Sequence, residues 1–365
     1  MIHRRSLRAT TVVALSALAL VAVACGGGDS AAVETVELST TEAPTTTVAP
    51  TTTPATTEAP TTTVAETTTT IPAPPVYPLT GVLMTDPAIA ARPALVVKID
   101  NAPRARPQTG MNAADIVFEE IVNDNFTRFA FVFQSGASDP VGPIRSGRIQ
   151  DIDLFGAFNR PLFSWSGGNR TVTDAVRASD LIDIGPNRAA VYFRSRDRKA
   201  PHNLYSNTTA LWTQAAPDAQ PPQQQFQYRS EGDAVQGVPS PGVAASLDSI
   251  DVRWEWDAAQ GLYTRTMEGK PHMDAASGQV TTNNVVVLAM EYLPGISGSP
   301  DAQTIATGEA FVFTAGNYVH GTWSRADRLA PFTLLADDGT PIELTPGRTF
   351  VELPRRDHTI PLPAV

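Results

Sequence analysis

The chain has 365 residues, 42% of them hydrophobic, which is enough apolar material for more than one domain. Its 37 Asp and Glu against 27 Lys and Arg leave a formal net charge of −10, which argues against a nucleic-acid partner. A single cysteine, Cys25, excludes an internal disulfide.

Residues 1–25 have the three parts of a secretory signal: Arg4, Arg5 and Arg8, then an uncharged run rich in Ala, Leu and Val, then small residues before Cys25. The apolar run is short for a bilayer span, which needs about 20 residues. Ala22-Val23-Ala24-Cys25 resembles a lipobox, with Ala22 where Leu is commoner. A lone thiol at that boundary is what diacylglyceryl transfer requires. The expectation is a chain held by lipid on Cys25 to the extracytoplasmic face of the cell membrane. The flanks of Arg4-Arg5 fit a twin-arginine signal poorly, so the general secretory route is expected.

Residues 26–78 are dominated by Thr, Pro, Ala and Glu, with one unit nearly repeated from Thr41 and from Thr57. Such a segment cannot build a core and reads as a disordered stalk. At about 3.1 Å per residue, ~50 residues reach up to ~150 Å, enough to lift a domain into a cell wall.

The rest reads as α+β: a mixed sheet with helices over 79–217, a linker at 218–242, and a β-rich domain over 243–365. Ala94 to Ile99 reads as a buried strand. Ile116 to Val122 and Phe126 to Phe133 flank a turn at Asn123-Asp124-Asn125. Ile149, Ile152, Phe155 and Phe158 recur at helical spacing, and Val172 and Val176 mark a second, short helix. Strands are expected at Pro161 to Trp165 and Ala190 to Phe193, and a helix at Thr208 to Ala216. Further on, Ile250, Val252, Trp254 and Trp256 alternate with Asp251, Arg253 and Glu255. Val285 to Met290 reads as a buried strand, and Asp338-Gly339 as a hairpin turn. Charge differs across the linker: residues 92–199 hold 13 Arg and 2 Lys against 12 acids, while residues 200–365 hold 9 basic against 18 acidic groups.

Polar residues of the first domain gather in three segments. Asp100, Asn101, Arg104, Arg106 and Gln108 follow a strand. Arg145, Ser146 and Arg148 lead into a helix. His202 and Asn203 close an Asp197-Arg198-Lys199 loop. Cations at a helix start oppose its dipole at a cost of about 0.3–1 kcal/mol each, a cost that a bound anion reverses. The alternative is that Arg145 and Arg148 pair with Asp151, Asp153 or Glu119. No serine-hydrolase elbow, P-loop or zinc-protease motif is present, and a lipidated Cys25 leaves no thiol nucleophile. His202, His272, His320 and His358 are too far apart for ligand pairs, so neither metal nor cofactor is expected. Trp165, Trp254 and Trp256 read as core rather than sugar platforms.

These segments resemble the YerB-like lipoprotein family, a family defined as a domain of unknown function (3048, N- and C-terminal domains). The resemblance runs from about Pro78 onward. It rests on Ala105-Arg-Pro-Gln-Thr-Gly110, Ala114-Asp-Ile-Val-Phe-Glu119, Thr127-Arg128-Phe, Val141-Gly-Pro-Ile-Arg-Ser146 and Arg198-Lys-Ala-Pro-His-Asn203. It continues through Gly269-Lys-Pro-His-Met-Asp274 and Gly321-Thr-Trp323. It implies an α+β first domain with a smaller β-rich second one, and brings no catalytic activity. Function therefore stays open among three readings. The preferred one is a non-catalytic lipoprotein whose Arg-lined cleft takes an anionic cell-wall ligand or the surface of a wall-synthesis partner. The second is a hydrolase or transferase on anionic wall precursors, with Asp100, Glu119 or His202 moving protons. The third is a solute-binding lipoprotein, which the missing two-lobed α/β pattern disfavours. The ligand-binding candidates are Asp100, Asn101, Arg104, Arg106, Gln108, Glu119, Arg128, Arg145, Ser146, Arg148, His202 and Asn203.

Overall fold

A computed structural model describes residues 75–123 and 126–356. The signal, Cys25, residues 26–74 of the expected stalk, Asp124, Asn125 and His358 lie outside the described residues; residues 75–78, expected in the stalk, belong to the fold instead, with Tyr77 buried and its N–H donating to Val82 O (2.8 Å).

Leu95–Asp100 forms β1, buried along its whole length, which is why its apolar run shows no alternation. Ile116–Asn123 (β2) and Phe126–Phe133 (β3) pair antiparallel, as the turn residues between them predict. Leu162–Ser164 (β4) and Ile182–Asp183 (β5) extend the sheet on the far side of β1. Tyr192–Arg194 (β6) and Leu204–Ser206 (β7) form a separate antiparallel pair. Later come Gly242–Leu247 (β8), Ile250–Asp257 (β9), Leu262–Met267 (β10), Asn284–Leu288 (β11), Thr307–Thr314 (β12), Asn317–Ser324 (β13), Thr333–Ala336 (β14) and Thr349–Leu353 (β15).

The main sheet runs β14-β13-β12-β11-β15-β2-β3-β1-β4-β5. Its join is β15, last in sequence, which lies parallel to both β2 and β11 and pairs Phe118 with Val351. The sheet therefore continues across the boundary expected at 218–242. That segment is threaded along the fold rather than spanning open space. Gln225 and Phe226 are buried, Gln227–Tyr228 pairs with Glu343–Leu344, and Val238–Pro239 pairs with β13.

Both faces of the main sheet are covered. On one lies the antiparallel sheet β8-β9-β10, where Val252 and Trp254 point inward while Asp251, Arg253 and Glu255 point out. Trp254 packs edge-on against Phe350 of β15 at 4.8 Å. On the other lie the helices Gln150–Phe155 and Arg170–Ala178, with Phe155 and Phe158 edge-on to Phe118. The helical spacing of Ile149 to Phe158 is broken after Phe155. The chain tightens to a 3-10 turn at Gly156–Phe158, and Asn159 adopts a left-handed conformation (φ 56°). Gly156 lies against the Arg328 carbonyl, where no side chain fits.

Candidate functional site

β3 runs antiparallel to both β1 and β2, so the C-terminal ends of β1 and β2 meet the start of β3 at one edge of the sheet. Side chains alternate along each strand. Lys98, Asp100, Glu120 and Arg128 thus share the helix-covered side with Val96, Phe118 and Ala130. Glu119 and Thr127 share the other side with Val117 and Phe129.

Two further segments converge on this edge. β4 pairs only with Leu95, Val96 and Val97, and beyond them the chain at 143–145 takes its place: Asp100 N donates to Pro143 O (2.9 Å) and Arg145 N to Lys98 O (2.8 Å). The same stretch bonds β7 on its other side, through Ile144 N to Leu204 O (2.6 Å) and Val141 N to Ser206 O (2.8 Å). Only glycine fits at Gly142, whose φ is +154° and where a Cβ would stand 2.5 Å from the Tyr205 ring. β7 in turn places the loop before it, and with it His202, over the end of β1.

The result is a cleft of about 590 Å³. Asp100, Arg104, Asn123, Arg128, Arg145 and His202 give it polar groups; Pro103, Val122 and Phe126 give it an apolar wall. Asp100 Oδ2 accepts from His202 Nδ1 at 2.7 Å, and Oδ1 accepts from Ala102 N at 3.0 Å. Arg145 Nε lies 3.2 Å from Asp100 Oδ2, close enough to pair by charge but not aligned for a hydrogen bond. Arg128 is only 9% exposed and donates from Nη1 to Ser146 O (2.9 Å). Burial first, then repulsion from Arg148 and Arg145, pushes its guanidinium down to about 9. Three arginines thus face one carboxylate among the described residues lining the cleft.

Not every expected residue lines it. Arg148 is spent on structure: it donates to Val122 O (3.4 Å), Gly147 O (3.0 Å) and Asn123 Oδ1. Asp151 takes the Arg148 backbone N–H (2.6 Å) rather than its guanidinium. Glu119 lies under the cleft, not in it. Arg106 reaches Glu268 and Asn101, and Gln108 donates to Asp100 O and Asn101 Oδ1. Asn101 donates to Thr127 Oγ1 (2.7 Å) and Glu119. Ser146 contributes its carbonyl. Asn203 binds Arg194, Ser195 O and Arg198 O, which shapes the loop carrying His202. The two neighbouring arginines should therefore separate in a thermal melt. Arg148→Ala, which removes hydrogen bonds to Gly147 O, Asn123 Oδ1 and Val122 O, should cost about 1–3 kcal/mol, and Arg145→Ala clearly less.

Sequence reasoning missed two buried charge clusters behind the cleft. Lys98, with no exposure, donates to Glu120 and to Asp151 Oδ1 (2.8 Å). On the opposite face Arg265, also fully buried, pairs with Glu119 and Glu352 and donates from Nη1 to His272 Nδ1 (2.6 Å). Burial, reinforced by Asp151, lifts Glu120 to about 7; burial, with Glu119 adding to it, lifts Glu352 to about 8. Burial and the Arg265 charge push His272 well down, so its ring is neutral and its Nε2–H is free to donate to Gln108 Oε1 (3.1 Å). The available signal was the pair Glu119-Glu120 inside an apolar strand: adjacent residues face opposite sides, so each needs its own cation.

Two models of one family match the chain: the N-terminal domain of a protein of unknown function (DUF3048) over residues 79–221, and its C-terminal domain over 243–351. A curated Bacillus subtilis (strain 168) protein, "Putative lipoprotein YerB", is 27% identical over 294 residues, covering 76% of this chain and 85% of that one. A crystal structure of YerB from the same organism shares the fold, with a TM-score of 0.68 at 23% identity, over 77% of this chain and 97% of that one.

Proposed function

Starting from a chain that belongs to the DUF3048 family, we propose a lipid-anchored envelope protein whose cleft captures an anionic ligand. The anchor reading is supported by the Cys25 signal and by the relative named as a lipoprotein. The binding reading is carried by one observation, the buried Arg128. A guanidinium in that position costs desolvation and is repelled by Arg145 and Arg148, yet only one of its donors is used within the described residues. An anion seated between Arg128, Arg145 and Arg104 offsets both costs. A phosphate or carboxylate of a cell-wall polymer has that chemistry, and the extracytoplasmic setting puts such polymers within reach of a tethered domain.

Calorimetric titration of the detergent-solubilised protein with inorganic pyrophosphate tests this. Binding should weaken between 50 and 500 mM salt, as screening shortens the reach of the guanidinium charges. Arg128→Met should lose at least tenfold in affinity while melting no lower than the parent, because it removes a repelled charge and keeps an apolar stem. Binding that ignores both salt and Arg128→Met defeats the reading.

A further inference from the structure

We propose that the cleft also catalyses: His202, oriented by Asp100, acts as general base in the hydrolysis of a phosphodiester held by Arg128 and Arg145. The inference rests on the anion-binding reading above and adds a reaction to it.

The geometry starts from the Asp100–His202 pair. Asp100 is 4% exposed at the end of a strand, and Ala102 N holds its other oxygen. Because the carboxylate accepts from His202 Nδ1 at 2.7 Å, the imidazole proton is fixed on Nδ1 and the Nε2 lone pair is left for a reacting group. The loop bearing His202 is fixed as well: His202 N donates to Lys199 O (3.0 Å), and Asn203 ties the loop to Ser195 and Arg198. An oriented imidazole on the wall of an arginine-lined cleft is the arrangement that general-base catalysis requires. The four acids behind the cleft are out of reach: Glu119, Glu120, Asp151 and Glu352 are fully buried and paired.

The substrate class follows from the charges. Two guanidinium groups match the two non-bridging oxygens of a phosphodiester and neutralise charge as it builds there. Water attacking a monoester passes through a loose transition state that gains little from a base. A diester, with more bond formation to the attacking water, gains more. The apolar wall at Phe126, Pro103 and Val122 accommodates one ester substituent. In the step itself the water oxygen forms a bond to phosphorus and the phosphorus–oxygen bond to one ester group breaks. His202 Nε2 takes the water proton and returns it to the departing oxygen. The products are a phosphomonoester and an alcohol, and no other reactant is required.

The test uses the full-length protein in detergent micelles. Bis(4-nitrophenyl) phosphate is followed by absorbance, a glycerol phosphodiester by phosphorus NMR, and pyrophosphate binding by calorimetry. The wild type should release 4-nitrophenol and lose rate on acidification as the base is protonated. His202→Asn should lose about 10²–10⁴-fold in rate while still binding pyrophosphate. His202→Gln serves as the second variant should His202→Asn fail to fold. Asp100→Asn should lose rate too, because the wrong tautomer is then favoured. Pyrophosphate binding without turnover of either diester overturns the catalytic inference alone. Turnover that survives His202→Asn, or a flat pH profile, overturns it as well. Absence of pyrophosphate binding overturns the anion reading and this inference together.

Discussion

Replacing Arg265 with methionine is expected to cost about 3–5 kcal/mol of stability, the largest single loss among the substitutions considered. Arg265 has no exposure, and its guanidinium sits between Glu119 of β2 and Glu352 of β15 while packing 4.9 Å over the Phe350 ring. Trp254 Nε1 adds a bond to Glu352 Oε1 at 2.9 Å. Methionine fills the volume but leaves Glu119 buried without its cation and removes the charge that lowers the Glu352 carboxyl. Any negative charge left there must take up a proton or draw water between the two sheets, and either route is unfavourable. At about 2–4 °C per kcal/mol for a body of this size, the melting midpoint should fall by roughly 6–20 °C. Adding Glu119→Gln and Glu352→Gln to Arg265→Met should restore much of that loss, since the charges then vanish together. A single substitution that melts with the parent would mean that water already reaches this cluster.

The second large effect is on pH dependence. Glu120 and Glu352 are raised from the ordinary glutamate value to about 7 and about 8. The native state therefore holds protons that the unfolded chain releases, and stability falls as pH rises across the gap. The contribution is fully present below about 4.5 and is lost as pH passes about 7 and then about 8. At full effect the two shifts correspond to about 3 kcal/mol for Glu120 and about 5 kcal/mol for Glu352. Melting midpoints should thus fall from pH 5.5 to pH 8.5. Glu120→Gln with Glu352→Gln should flatten the slope, because a neutral amide cannot release a proton. Arg128 does not disturb this window, since it stays charged until about 9. A midpoint that rises toward pH 8.5 would show that the carboxylates are ionised in the native state.

How much of this could be read from the linear chain depends on the range of each interaction. The β2–β3 hairpin and the in–out alternation of Ile250–Asp257 were legible, because they follow from neighbours one to ten residues apart. The three polar segments were legible as clusters, and Asp100, Arg104, Arg128, Arg145 and His202 do share one cleft. Their roles were not. Arg145 and Arg148 look equivalent in sequence, yet one opens on the cleft and the other is bound to Val122, Gly147 and Asn123. Glu119 reads as a ligand candidate but points to the face opposite Glu120, because side chains alternate along a strand.

By itself the sequence determined the local matters: which runs are apolar, where they alternate, and which segments carry arginine. Each of those rests on covalent geometry or on contacts between near neighbours. Only the tertiary structure decided that β15 lies between β2 and β11, making one sheet of two segments. It alone set Lys98 against Asp151 and Arg265 against Glu119, pairs 53 and 146 residues apart. The physical reason is register: a slip of one residue would turn every side chain of a strand to the other face. Which charge meets which is therefore settled by the pairing of strands distant in sequence, and no local pattern records it.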